Sequence, residues 1–356
     1  PGNYRFWGET ALGIGLLAML AGGSIFWLTG IPVSLEFSWD RSTLSFMLGA
    51  SLAAAGLFEM LVVPRYRPVL AAVLVGLAIG MHFQNALEYR AEWQKLQKFF
   101  WQLTWRAPGL EPGTLILFDV IPLNRYSDSD LTALLNWTYE PHLATRQIPY
   151  KFFDLTIRLD SEHLGISSLE RDVPVEHNHR GTFFRTTTSN TLALVFDPPA
   201  CLRILGPNDA LLSDLPERLA RALPVTRLEQ IRLEAAGVRP PDQLGPEPAH
   251  DWCYYFERAD LARQNGDWAG AAALGEEAFS KGLRWEDPVE LLPFIEGYAR
   301  AGMWEKAREL SQEAGKRSGL LLPLCALWDR AGEDLSGEAE AQKEVNGIRS
   351  ELNCLP

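Results

Sequence analysis

Residues 11–33 read ALGIGLLAMLAGGSIFWLTGIPV, and none of these residues is charged. An α-helix needs about 20 apolar residues to cross roughly 30 Å of hydrocarbon, and this stretch is long enough to do so. Phe26 and Trp27 lie near one end, where aromatic side chains are typical of a membrane interface. The stretch therefore predicts a membrane-spanning helix.

Two further apolar stretches predict a second and a third span, at 44–63 and 68–87. In the second, Gly49 and Gly56 would allow another helix to approach closely, and Glu59 is the single acid. The third carries polar residues near its end, which we expect at the far interface: His82, Gln84 and Asn85. A buried helix of a soluble domain remains the alternative for this third stretch.

A cleaved signal peptide is a poor interpretation of the first stretch, because its apolar run is too long and two more spans follow. The sequence begins at Pro1, and Tyr4, Arg5 and Trp7 are typical of a loop beside a membrane. We therefore expect a fragment of a longer protein, with further spans upstream.

The distribution of arginines predicts the orientation, since short cytoplasmic loops are enriched in Lys and Arg. Arg65 and Arg67 lie in the tight connection between the second and third spans, whereas the 34–43 loop has only Arg41. That loop and all residues after the third span are therefore predicted to be extracytoplasmic. Asp40 and Arg41 are functional candidates in this outer loop, and a solvated or locally paired couple is the alternative.

Residues 88–106 place Trp93, Leu96, Phe100 and Leu103 at helical spacings of three and four. This pattern predicts an amphipathic juxtamembrane helix. It fits a helix lying on the membrane surface and, equally, a core helix of the following domain.

A small α/β domain is predicted over 107–236. Short strands are expected at 114–118, 150–159, 182–188 and 191–196, and a helix over 131–137 could be capped by Ser127, Asp128 or Asp130. No glycine-rich phosphate loop joins strand to helix, so no nucleotide or other cofactor is predicted. His177 and His179 alternate along the chain and could share a metal ion, but two ligands are not a site, and an exposed turn is the preferred interpretation.

Charge is distributed unevenly along the chain. Residues 1–106 contain 8 Lys/Arg and 6 Asp/Glu, whereas residues 107–356 contain 25 and 39. An acidic soluble region without clustered Lys or Arg argues against a nucleic-acid partner.

The four cysteines have no CxxC spacing, which argues against a zinc or thioredoxin-like site: Cys201, Cys253, Cys325 and Cys354. An extracytoplasmic location would permit disulfides. A bond between Cys325 and Cys354 is the first to test, because both lie in the terminal helical region, and buried free thiols are the alternative.

A Pro/Gly-rich linker over 237–250 leads into a repeat over 251–356. The triplet at 266–268, Gly-Asp-Trp, recurs at 302–304 as Gly-Met-Trp, and the same offset aligns Ala271 with Ala307 and Ala278 with Ala314. This register resembles the tetratricopeptide repeat, a stack of antiparallel helix pairs. The sequence departs from that family at Gly275 and Ser311, where an aromatic residue is expected.

The resemblance to tetratricopeptide repeats implies a surface that binds a peptide or protein. Four aromatic residues are candidate anchors for this partner: Tyr254, Tyr255, Trp268 and Trp285. The alternative is that most of them pack in the core between helices.

Spans, outer domain and repeats together resemble the C-terminal part of bacterial polytopic membrane proteins related to glycosyltransferases that use lipid-linked sugars. The catalytic acids of that family lie in an earlier outer loop, so the resemblance assigns no catalytic residue here. The predicted fold class is thus membrane α-helical, followed by an α/β soluble domain and α-helical hairpin repeats. Two functions remain open, a membrane-anchored interaction scaffold and the non-catalytic part of such a glycosyltransferase.

Overall fold

The computed structural model describes residues 2–35, 37, 39–160, 165–233 and 238–354, with side chains from residue 6 onward. The chain divides into two compact units, residues 1–93 and 94–356. Apolar helices form the first unit, and a mixed α/β region with packed helix pairs forms the second.

The first unit contains α1 (Gly2–Thr29), α2 (Leu44–Leu61) and the beginning of α3 (Arg67–Arg106). Each includes a stretch that is long and apolar enough to cross a membrane, and their apolar surfaces could contact a lipid bilayer. This agrees with the three spans that the sequence predicts.

Helices α1 and α2 pack through glycines that recur every seven residues. A Cβ atom on Gly15 would lie 2.5 Å from the backbone nitrogen of Ala53 and 2.7 Å from the carbonyl oxygen of Gly49. At the other end of the contact, a Cβ on Gly56 would lie 2.6 Å from the Gly8 oxygen. The prediction that Gly49 and Gly56 permit close approach is confirmed, because only residues without a side chain fit here.

The third span has a different environment. None of its most apolar window is buried, and a Cβ on Gly76 or Gly80 would meet nothing within 4 Å. Arg67, at its start, forms an ion pair with Glu59 of α2. The acid of the second span is thereby neutralised by one of the two loop arginines.

We predict that Gly15→Leu separates α1 from α2, whereas Gly76→Leu, the same change at an open position, leaves them packed. The rings of Phe26 and Phe46 lie 6.0 Å apart, so cysteines introduced at these two positions report on the packing. Oxidative crosslinking between them should fall severalfold with Gly15→Leu only. Equal yields in both backgrounds would contradict this packing.

The second unit contains a four-stranded sheet, in the order β2-β1-β5-β6, and a separate β3-β4 hairpin. Strand β1 is parallel to both β2 and β5, and β6 is antiparallel to β5. The strands are β1 (Leu115–Phe118), β2 (Lys151–Asp154), β3 (Pro174–His179), β4 (Thr182–Thr187), β5 (Thr191–Val195) and β6 (Arg203–Leu205). The connecting helices are α4 (Asp128–Tyr139), α5 (Leu155–Arg158) and α6 (Glu217–Ala222).

The predicted strands are found, with one shortened. The run expected at 150–159 is a strand only over 151–154, because the Asp154 carboxylate accepts the amide N–H of Thr156 and starts the α5 turn. Helix α4 begins at Asp128, and of the three predicted caps it is Ser127 whose side chain accepts the amide N–H of Asp130.

The last part of α3 is a core helix of the second unit. Leu96, Phe99, Phe100 and Leu103 are fully buried, and the Phe99 ring contacts Phe152 and Phe196. Of the two interpretations of the amphipathic segment, the core helix is the one observed for residues 94–106. Its apolar face covers the sheet and so has no surface left for lipid.

The C-terminal helices form packed pairs, α7 with α8, α9 with α10 and α11 with α12. Their bounds are α7 (Trp252–Gln264), α8 (Trp268–Ser280), α9 (Leu292–Arg300), α10 (Trp304–Ala314), α11 (Leu321–Asp334) and α12 (Ala339–Glu351). The four alanines that the repeat register aligns are all fully buried: Ala271, Ala278, Ala307 and Ala314.

Two glycine positions explain the repeat signature. Gly266 and Gly302 adopt φ values of +70° and +73° directly after α7 and α9, which is the conformation that ends a helix at glycine. Tyr298 also leaves no room for a side chain at Gly275, because a Cβ there would lie 2.6 Å from the Tyr298 hydroxyl oxygen.

Candidate functional site

A buried arginine lies where the helix pairs meet the α/β region. Arg106, at the end of α3, is 1% exposed, and its Nε donates to the Asp260 carboxylate on α7 at 2.6 Å. Its Nη1 donates to Gln264, and the Gln264 side-chain amide donates to the Leu228 carbonyl oxygen. Arg106 and Gln264 together thus link α3, α7 and the segment after the sheet.

From Asp260 the ion pairs continue across the helix pairs. Arg263 contacts both Asp260 and Glu296, and Arg300 contacts Glu296. Burial by itself would raise the pKa of Asp260, but the Arg106 and Arg263 guanidiniums outweigh it and lower that pKa. These buried charges compensate one another.

A cavity of about 630 Å³ lies beside this network. Its walls come from β6 and the following loop on one side and from α7, α9 and α11 on the other. Trp268 contributes to the lining, and the Arg300 guanidinium lies 4.3 Å from its ring centroid. The volume is within the usual range for a small-molecule site.

A second groove, of about 420 Å³, lies between α8 and α10. Phe279 and Trp285 provide partly exposed aromatic surface there, and Tyr298, which is 1% exposed, borders the groove. Charged side chains of both signs also line it, namely Glu276, Arg284, Lys306 and Glu309.

The four predicted anchors lie in different environments. Trp268 lines the cavity and Trp285 lines the groove, and both are partly exposed. Tyr254 is half-buried and stacks on His250, with ring centroids 3.4 Å apart. Tyr255 is 1% exposed, as the core alternative expects, and its hydroxyl donates to Glu277.

The predicted exposed turn around His177 and His179 is instead a strand, β3, with the turn falling at Arg180 and Gly181. His177 is 8% exposed, 5.4 Å from the Phe153 ring and 6.1 Å from that of His179. Burial, then the nearby Lys151 and Arg158 charges, lower the pKa of His177 to about 4. Within the described ranges, no group of three or more His, Cys, Asp or Glu side chains could hold a metal ion.

Asp40 and Arg41 are neighbours in a short helical turn. The Arg41 amide N–H donates to the Asp40 carboxylate at 2.9 Å, in the short helical turn Asp40–Thr43 that precedes α2. A functional role for these two residues stays a prediction.

The cysteines form two disulfides, Cys201–Cys253 and Cys325–Cys354, with Cα–Cα distances of 5.3 and 5.6 Å. The predicted Cys325–Cys354 bond is confirmed, and the expectation of buried free thiols is wrong. The other bond joins the segment before β6 to α7. Both bonds are consistent with an extracytoplasmic location of the soluble region.

No protein-family model matches the chain, and no curated protein or solved structure is significantly similar to it. The resemblances to tetratricopeptide repeats and to membrane glycosyltransferases therefore stay predictions of the sequence. What the structure itself shows is apolar N-terminal helices, a mixed α/β region and packed C-terminal helix pairs.

Several residues of this region could not be found from the sequence. Arg106 and Asp260 are 154 positions apart, and Arg203 and Arg330, which line the cavity, belong to no motif. Only the tertiary fold brings them together.

We predict that Arg106→Leu destabilises the chain by roughly 3 kcal/mol, because it leaves the Asp260 carboxylate buried with one partner fewer. Arg258→Leu on the same unit is the control, since Arg258 is exposed. Urea denaturation of the detergent-solubilised chain, followed by near-ultraviolet circular dichroism, measures both. Equal effects of the two substitutions would contradict a structural role of the buried pair.

We also predict that the chain isolated from its native membrane takes up no maleimide when denatured, and takes up four equivalents after reduction. Cys201→Ala should expose one equivalent before reduction, which identifies its partner as Cys253. Intact-mass spectrometry counts the additions. Labelling of the denatured, unreduced chain without the substitution would show that the bonds do not form.

Proposed function

We propose that this chain is a membrane-anchored interaction protein whose soluble region lies on the extracytoplasmic side and docks a peptide segment of another protein. Three apolar spans and two disulfides support the anchor and the compartment. The groove between α8 and α10 is the observation that carries the docking role.

The side of the helix pairs that faces the α/β region forms contacts within the chain itself. Gln264 donates to Leu228, Cys201 is bonded to Cys253, and Arg317 forms an ion pair with Asp214. The groove between α8 and α10 is outside these contacts. A partner would therefore dock there.

The composition of the groove fits a protein partner. Trp285 presents a partly exposed ring beside Phe279 and Tyr298, and charged side chains of both signs surround these rings. Aromatic surface within a polar rim is typical of the energetic centre of a protein interface. The occupant we propose is an extended segment with one apolar anchor residue over Trp285.

Photo-crosslinking in the native host membrane tests this proposal. A photoreactive residue at Ser280, an exposed position lining the groove, should give one discrete adduct, and the same residue at Ser336, also exposed but outside the groove, should not. Trp285→Ala should reduce the adduct at least fivefold, on the scale of about 1–2 kcal/mol for losing an interface anchor.

Trp285 also contacts Trp252 and Phe279, so Arg284→Glu serves as a second variant: Arg284 is exposed, and its guanidinium lies 5.7 Å from the Trp285 ring centroid. This substitution should weaken the adduct while the melting temperature stays unchanged. The proposal fails if Ser280 gives no adduct, or if the adduct is insensitive to both substitutions.

A further inference from the structure

The cavity beside the buried ion-pair network has a feature that the docking groove lacks. Apolar side chains form much of its wall, and arginines project from both the sheet side and the helix side. The apolar part of the lining includes Ile204, Leu228, Ile231, Phe256, Leu292 and Leu327.

The arginines that line this cavity differ in whether their guanidiniums form ion pairs. Arg263 is paired with Asp260 and Glu296. Arg203 on β6 and Arg330 on α11 are both half-buried, and in the described part of the chain neither guanidinium has a hydrogen-bond or ion-pair partner. Arg203 is close enough to Asp209, Glu257 and Glu290 to offset part of the rise that burial causes in the pKa of each of these carboxyl groups. A guanidinium withdrawn from water without a partner costs free energy, which an incoming anion would offset.

The carboxyl groups that interact electrostatically with Arg203 each accept hydrogen bonds from other groups or have a raised pKa. Asp209 accepts the amide N–H of Gly206 at 2.7 Å, and Glu290 accepts N–H groups of Cys201 and Trp252. Complete burial raises the pKa of Glu257 well above its usual value, which favours the neutral acid.

Glu229, the remaining carboxylate of the lining, is exposed to solvent. Water therefore solvates this group, and it has no need of a buried counterion.

We propose that this cavity binds an organic anion, with Arg203 and Arg330 holding its carboxylate or phosphate oxygens and the apolar wall holding its body. A guanidinium presents a planar fork of N–H donors that matches both kinds of oxyanion. The site is separate from the groove at Trp285, so it could be occupied whether or not a peptide docks there.

Three soluble probes with the same apolar ring test the proposal: benzoate, phenyl phosphate and benzamide. Their affinities for the whole chain in lipid nanodiscs are measured by ligand-observed NMR titration. At least one of the two anions should bind at least tenfold more tightly than neutral benzamide, and the tighter of the two identifies carboxylate or phosphate as the preferred group.

Arg203→Gln and Arg330→Gln should each weaken the preferred anion at least tenfold, whereas Arg258→Gln, an exposed arginine outside the cavity, should not. Arg330 lies on α11, so its substitution remains informative if Arg203→Gln does not fold. The proposal is overturned if benzamide binds as tightly as both anions, if neither anion binds at millimolar concentration, or if Arg258→Gln has the same effect.

Discussion

The ion pair between Arg106 and Asp260 is the interaction on which the soluble unit depends. Both side chains are almost completely withdrawn from water, at 1% and 7% exposure, so neither can lose its partner without leaving a buried charge. Because Arg106 ends α3 and Asp260 lies on α7, the pair fixes where the first helix pair packs against the helix that covers the sheet. Arg263 and Glu296 extend the same compensation to α9, which gives the helix pairs a defined register.

The packing around this ion pair also determines where the unit has a cavity and a groove. The helices that face the α/β region contribute to its packing, and they leave a cavity where the packing is incomplete. The second helices of the first two pairs, α8 and α10, carry the aromatic groove instead. The Cys201–Cys253 bond reinforces the arrangement, since it joins the segment before β6 to the same helix that holds Asp260. The groove and the cavity are thus separate features of one unit.

Much of the architecture could be predicted because it depends on local patterns. Bilayer thickness makes the length of an apolar run informative, and Ser127 caps α4 through a hydrogen bond three residues away. The repeated glycines at 266 and 302 end helices by their positive φ, whatever surrounds them. In contrast, the amphipathic pattern of residues 94–106 is the same for a membrane surface and for a protein core. The cavity arginines and the Cys201–Cys253 pair depend on chain segments that only tertiary packing brings together, and of the four predicted anchors the sequence could not separate the buried Tyr255 from Trp285.

We propose that the disulfide-bonded unit and its groove lie outside the cytoplasm, anchored by the three spans. Single cysteines at Tyr66, in the loop between α2 and α3, and at Ser336, exposed after α11, test it directly, because the native cysteines are all bonded and should not react. Intact cells are treated with a membrane-impermeant maleimide, and lysed cells serve as the control for reactivity. We expect labelling of Ser336→Cys but not of Tyr66→Cys in intact cells. Labelling of Tyr66→Cys alone would place the soluble unit in the cytoplasm and contradict this account.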